Sequence, residues 1–104
     1  MPVVVVALVT AKPESVDTVK AVCEKAIAAG HTEPGCELYS LHQTGDTFVF
    51  IEQWADQDAL NAHMAAPNFA EFAAAIGEHV AGAPDIKILA PIPAGDPAKG
   101  QLRA

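Results

Sequence analysis

Positive charge is what this chain has least of. Six Lys and Arg stand against thirteen Asp and Glu, a formal charge of −7, and the single arginine, Arg103, lies next to the last residue. Nucleic-acid binding needs clustered cations that displace counterions, and no cluster exists, so no nucleic-acid partner is expected. The same shortage argues against an anionic membrane surface. The two cysteines, Cys23 and Cys36, are too few and too irregularly placed for a disulfide framework or a zinc site. They read as buried thiols of a reduced, cytoplasmic protein. There is no phosphate-cradling glycine loop, no dinucleotide fingerprint, no metal-spaced His/Cys/Asp cluster and no serine in a nucleophile elbow. An enzyme built on this sequence is expected to work without a metal or a tightly held nucleotide. The apolar run Pro2 to Val9 falls far short of the roughly 20 residues of a membrane span and lacks the basic flank of a signal peptide.

What the chain does have is apolar surface. At 104 residues it is one domain, and 51% of it is apolar, much of this in Ala and Val runs. That is more than one thin core absorbs, which points to self-association. Val3 to Thr10 is β-branched without a period of two, as in a strand covered on both faces. Pro13 opens a helix with Glu14 and Asp17 near its positive end, an apolar stripe of Val16, Val19, Cys23, Ala26 and Ile27, and a stop at Gly30. His31 beside that stop suits the negative end of the helix dipole.

Glu33-Pro34-Gly35 is a turn, and Cys36 to Thr44 and Thr47 to Trp54 read as a hairpin. Asp56 caps a helix carrying Ala59, Leu60, His63 and Met64 inward. Pro67 breaks it and starts another, with Phe69, Phe72, Ala73, Ile76 and Val80 on its apolar side. Asp85 to Ala90 is the last strand. The order is β-α-β-β-α-β, an α+β ferredoxin-like protomer with helices on one face of an antiparallel sheet. Residues 1–91 form the domain, and 92–104 are a Pro- and Gly-rich tail that needs a surface to lie on, such as a partner subunit. Strands apolar on both faces leave the uncovered side of the sheet in need of a partner, and two sheets packed face to face, a homodimeric barrel, meet that need.

Few residues can carry chemistry. His63 shares a helical face with Ala59 and Leu60 and points at the core; it is either a satisfied core-edge histidine or a general base at a pocket. Trp54, the only tryptophan, ends a strand beside that helix and is either plain core or a flat wall for an aromatic ligand. Phe48, Phe50, Phe69 and Phe72 could line the same space. Tyr39 and His42 differ by an odd count along one strand, so one of them, and only one, faces the helices. Glu52 shares a strand face with Phe50 and Trp54, and is read as wet at the strand end, with burial beside a histidine as the alternative. His79 suits the dipole of the preceding helix.

Glu33-Pro34-Gly35-Cys36, then Glu52-Gln53-Trp54-Ala55-Asp56 running through Ala59-Leu60 to His63, resembles the antibiotic-biosynthesis-monooxygenase domain family. The resemblance covers Val3 to Pro91. It implies a ferredoxin-like protomer, a dimeric α/β barrel and a pocket between sheet and helices in each subunit. Activities in that family include cofactor-independent oxidation of polycyclic phenols, quinol oxidation, haem degradation and isomerisation of a phosphorylated sugar derivative, so fold fixes function poorly. The haem-degrading pattern has an asparagine on the first strand and a tryptophan on the second helix. Here Val3 to Thr10 holds only Val, Ala, Leu and Thr, and His63 stands about where that tryptophan would be.

The expectation is therefore a monooxygenase that oxidises a flat phenol, hydroquinone or anthrone-like molecule to a quinone. O2 is the co-substrate, and neither metal nor flavin takes part. His63 is its base, with Trp54, Phe50, Glu52, Tyr39, His42, Phe69 and Phe72 against the substrate. A non-catalytic aromatic-ligand carrier and an isomerase on the same fold are the alternatives.

Overall fold

A computed structural model describes residues 1–103. Four antiparallel strands form one sheet in the order β2-β3-β1-β4: β1 is Val3–Thr10, β2 Cys36–Thr44, β3 Thr47–Trp54 and β4 Asp85–Leu89. The helices are α1 (Val16–Gly30), entered through a 3-10 turn at Pro13–Ser15, α2 (Gln57–Ala65) and α3 (Pro67–Ile76). This is the expected ferredoxin-like arrangement. β1 and β3, the strands read as apolar on both faces, are the two central ones; their helix-side residues from Val5 to Val9 and from Phe48 to Trp54 are buried, and Val6, Leu8, Val49 and Ile51 on the other face are half-buried.

Register decides which residues meet. Val5 pairs with Glu52, Ala7 with Phe50 and Val9 with Phe48, and all six face the helices and are buried. On the other side of β3, Tyr39 pairs with Glu52 and Leu41 with Phe50. A β-bulge between Cys36 and Leu38 inserts one residue, so that Cys36, three positions from Tyr39, still packs on the helix-side core. The hairpin turns through Gly45 at φ +55°, a conformation that costs a glycine nothing.

Under α1 the core is closed: Val19 and Cys23 are fully buried and Phe48 is 1% exposed. Burial, helped by Glu24, pushes the Cys23 thiol up to about 12, so it stays a protonated, inert packing group. Val16, Ala26 and Ile27, expected in the same stripe, are only half-buried. The second helical region is looser. Ala66 is extended (φ −69°, ψ 147°) because Pro67 follows it, and the break separates α2 from α3. α3 stops at Ile76, short of Val80, which instead bridges to Ala11. Met64, expected inside, is 38% exposed.

The sheet face away from the helices carries Val6, Leu8, Val49 and Ile51, all half-buried. The tail returns to that face, where the Gln53 amide donates to the Arg103 carbonyl (3.2 Å) and to Glu37 (2.8 Å). No helix among the described residues is long and apolar enough to cross a membrane.

Candidate active site

Between the sheet and α2–α3 lies a cavity of about 320 Å³, the size of a small-ligand site. Its walls are apolar almost throughout. Val5, Ala7 and Phe50 form the floor, and Phe69, Phe72 and Ile76 come from α3. Ile86 and Ile88 of the edge strand β4 flank it and are 47% and 53% exposed, which marks the side where it meets solvent. The polar groups are few and gathered at one end: Glu33, Tyr39, Glu52 and His63, with Asn68 on α3.

His63 is placed by α2. Asp56 Oδ1 accepts from the Ala59 amide at 2.8 Å and starts the helix, and Leu60 and His63, one turn apart, face inward. Its ring stacks on Trp54 (centroids 4.3 Å, planes 27° apart), with the Tyr39 and Phe69 rings edge-on at 5.4 and 5.6 Å. His63 Nδ1 donates to Glu33 Oε2 at 2.7 Å, since a carboxylate only accepts. The neutral ring must then carry its lone pair on Nε2. No buried side-chain N or O among the described residues lacks a partner, so Nε2, which bonds to none of them, is not sealed in.

Glu52 is 5% exposed, which corrects the expectation of a wet strand end: β3 is an interior strand, flanked at this position by Val5 and Tyr39. Its Oε1 accepts from the Trp54 indole N–H at 2.9 Å. Burial raises its pKa, with a smaller push from Glu33, against the opposing pull of the Trp54 hydrogen bond and His63. Tyr39 is likewise held protonated, first by burial and then by Glu52. Trp54 thus touches both functional groups, one with its face and one with its edge, and is itself fully buried.

Of the residues singled out from sequence, His63, Glu52, Tyr39, Phe50, Phe69 and Phe72 reach the cavity, with Trp54 directly behind. His42 does not. It is exposed on the edge strand, 3.1 Å from Ser40 Oγ, in a separate groove with Lys20 and Glu24. Strand parity settles the alternative: Tyr39 faces the helices, so His42 cannot. Phe48 belongs to the closed core under α1. Sequence reasoning missed Glu33, which it took as part of a turn. Thirty residues separate Glu33 from His63, and no local pattern joins them. His31 and His79 have structural partners, the Tyr39 carbonyl at 2.8 Å and Ser15 Oγ at 3.0 Å.

A family model described as antibiotic biosynthesis monooxygenase matches residues 2–75. Rv0793 of Mycobacterium tuberculosis is 27% identical over 93 residues, covering 88% of this chain and 92% of that protein. Its solved structure superposes with a TM-score of 0.86 over 92% of this chain and all of that one, at 26% identity. A crystal structure of an antibiotic biosynthesis monooxygenase gives a TM-score of 0.82 at 29% identity, over 88% of this chain and 99% of that one. Protein sll1783 of Synechocystis is 31% identical over 90 residues, 84% of this chain, and this chain spans 61% of its length.

Proposed function

The chain belongs to the antibiotic biosynthesis monooxygenase family, and from that premise we propose that it oxidises a flat phenol, hydroquinone or anthrone-like molecule with O2, the substrate itself supplying the electrons. The observation that carries this reading is the pairing of an apolar, ring-lined cavity with one imidazole whose Nδ1 is engaged by Glu33.

In this mechanism His63 Nε2 removes a proton from the bound substrate. A phenol hydroxyl has a pKa near 10, so little anion forms unaided at neutral pH. The imidazolium produced is met by the Glu33 carboxylate on one side and the π-face of Trp54 on another. A positioned base contributes about 10²- to 10⁴-fold. The electron-rich anion reduces O2 by one electron, and recombination makes the carbon–oxygen bond of a hydroperoxide, which takes its proton back from His63. Breaking the O–O bond with loss of the remaining C–H proton leaves a quinone carbonyl and releases water. One oxygen atom goes to each product. The Phe50, Phe69 and Phe72 rings orient the substrate and keep water away.

On this reading no flavin or metal takes part, and the reaction belongs to a reducing, cytoplasmic setting, in keeping with two unpaired thiols at Cys23 and Cys36. The protein acts as a homodimer, the apolar strip Val6, Leu8, Val49 and Ile51 meeting its counterpart; sedimentation of the full chain at twice the 10.8 kDa protomer mass is the expected result.

The deciding experiment is oxygen uptake with a panel of hydroquinones and anthrones, without added cofactor. Wild type should consume O2, and His63→Ala should be slower by about 10² or more with its fold retained. Equal uptake by the two proteins removes His63 from the mechanism. Ligand binding with no uptake by wild type overturns the monooxygenase reading in favour of a carrier.

A further inference from the structure

Among the cavity's polar atoms, His63 Nε2 and Glu52 Oε2 bond to no described residue, as is also true of the Tyr39 hydroxyl, Glu33 Oε1 and the Asn68 amide. Glu52 Oε2 has no role in the chemistry above, which needs only one base. Glu52 is buried, its Oε1 is committed to the Trp54 N–H, and its carboxyl borders the same cavity as the imidazole. A carboxyl group with one oxygen locked as an acceptor has a single way to present a donor, through the other oxygen.

We propose that Glu52 is the group that selects the substrate, donating its Oε2–H to a carbonyl oxygen of a flat ketone whose acidic proton faces His63. This rests on the reading of the cavity as a substrate site and narrows its substrate to ring systems that carry a ketone together with the acidic hydroxyl or C–H. When His63 takes that proton, the bonding electron pair delocalises onto the carbonyl oxygen, and negative charge grows where Glu52 donates. In a water-poor site such a donor favours the anion over the neutral ketone. The ionisable groups facing Glu52 are His63 on α2, Glu33 before β2, and Cys36 and Tyr39 on β2; β1 offers Val5 and Ala7. Burial is the main influence that favours the neutral carboxyl, with a smaller push from Glu33, while the Trp54 hydrogen bond and His63 pull the other way; Cys36 and Tyr39 are themselves raised and stay neutral. The Glu33 carboxylate, with no Lys or Arg among the lining residues, favours a neutral ketone over a carboxylated or phosphorylated ligand.

The test uses binding alone, read through the fluorescence of the single tryptophan, which contacts both groups. The probes are 9-fluorenone and fluorene, flat tricycles of the same shape with and without a ketone. Wild type at pH 5 should bind fluorenone about tenfold more tightly than fluorene, the effect of one hydrogen bond to a desolvated donor. The preference should vanish as pH rises and Glu52 loses its proton. Glu52→Gln keeps a donor at that position, so it should keep most of the preference and lose its pH dependence. Glu52→Leu should bind both probes alike. Equal affinities in wild type at pH 5 overturn the proposal, as does a preference that ignores pH in wild type or still titrates in Glu52→Gln. The comparison consumes no oxygen, so it can succeed where the uptake assay fails, and the reverse.

Discussion

The helix-covered face of the sheet has two halves built from the same strands but packed differently. Under α1, fifteen residues long, Val19, Cys23 and Phe48 fill the core, and α1 borders the cavity only through Ala26 and Gly30 near its end. Under α2 and α3, nine and ten residues separated by the break at Pro67, the sheet is only partly roofed. Phe69 and Phe72 lean in from the side, and Ile86 and Ile88 stay half-exposed. The contrast shows that a cavity needs no special strand. A continuous helix closes one half and a broken helix opens the other. Glu52, His63 and Glu33 gather where the roof is incomplete, because there a carboxyl or imidazole can be both buried and reachable.

The largest way to break this contrast is to remove one large aromatic from each half. Phe48→Ala and Trp54→Ala should each cost about 3–5 kcal/mol in chemical denaturation. Only Trp54→Ala should also abolish aromatic-ligand binding by calorimetry, since Trp54 supports both His63 and Glu52. If Phe48→Ala weakens binding as much, the two halves are not independent.

A smaller effect is expected where the halves join. A Cβ on Gly30, the last residue of α1, would overlap the ring of Tyr39. Gly30→Ala should push that ring toward the cavity, cost about 1–3 kcal/mol and reduce ligand affinity. Unchanged affinity would mean that the ring moves elsewhere and that Tyr39 does not set the cavity's width.

The smallest effect is in pH dependence. Because the folded state holds the Glu52 proton more tightly than the unfolded chain does, its contribution is fully present below the ordinary carboxylate pKa of about 4.3. It is lost as pH rises through the elevated folded value. Wild type should therefore lose stability relative to Glu52→Gln as pH rises above the ordinary carboxylate range. Parallel stability curves for the two proteins would show that Glu52 ionises freely. The closed half offers no counterpart, since Cys23 titrates only near 12.

Much of this was legible beforehand. The element order, the hairpin at Gly45, the Asp56 cap, the break at Pro67 and the inward face of His63 all follow from local rules acting over a few residues. The resemblance to antibiotic biosynthesis monooxygenases is read from two short stretches, Glu33 to Cys36 and Glu52 to His63, and the family match spans residues 2–75. What went unread was non-local or a matter of environment. An acid near a strand end is usually wet, which is what the sequence suggests for Glu52, yet β3 lies between β1 and β2 and Glu52 is buried.

The sequence by itself determined where the chain turns, caps and breaks, and which side of each helix and strand is apolar. These are settled by backbone geometry and periodicity within one element. Only the tertiary structure decided that Glu33 would stand behind His63, that Tyr39 and not His42 would face inward, and that Glu52 would lose its water. Each depends on register between strands or on the meeting of elements distant in sequence, and a bulge at Cys36–Leu38 is enough to reset the parity from which side-chain direction is read. Contacts of that kind arise from packing the whole domain, so no local pattern carries them.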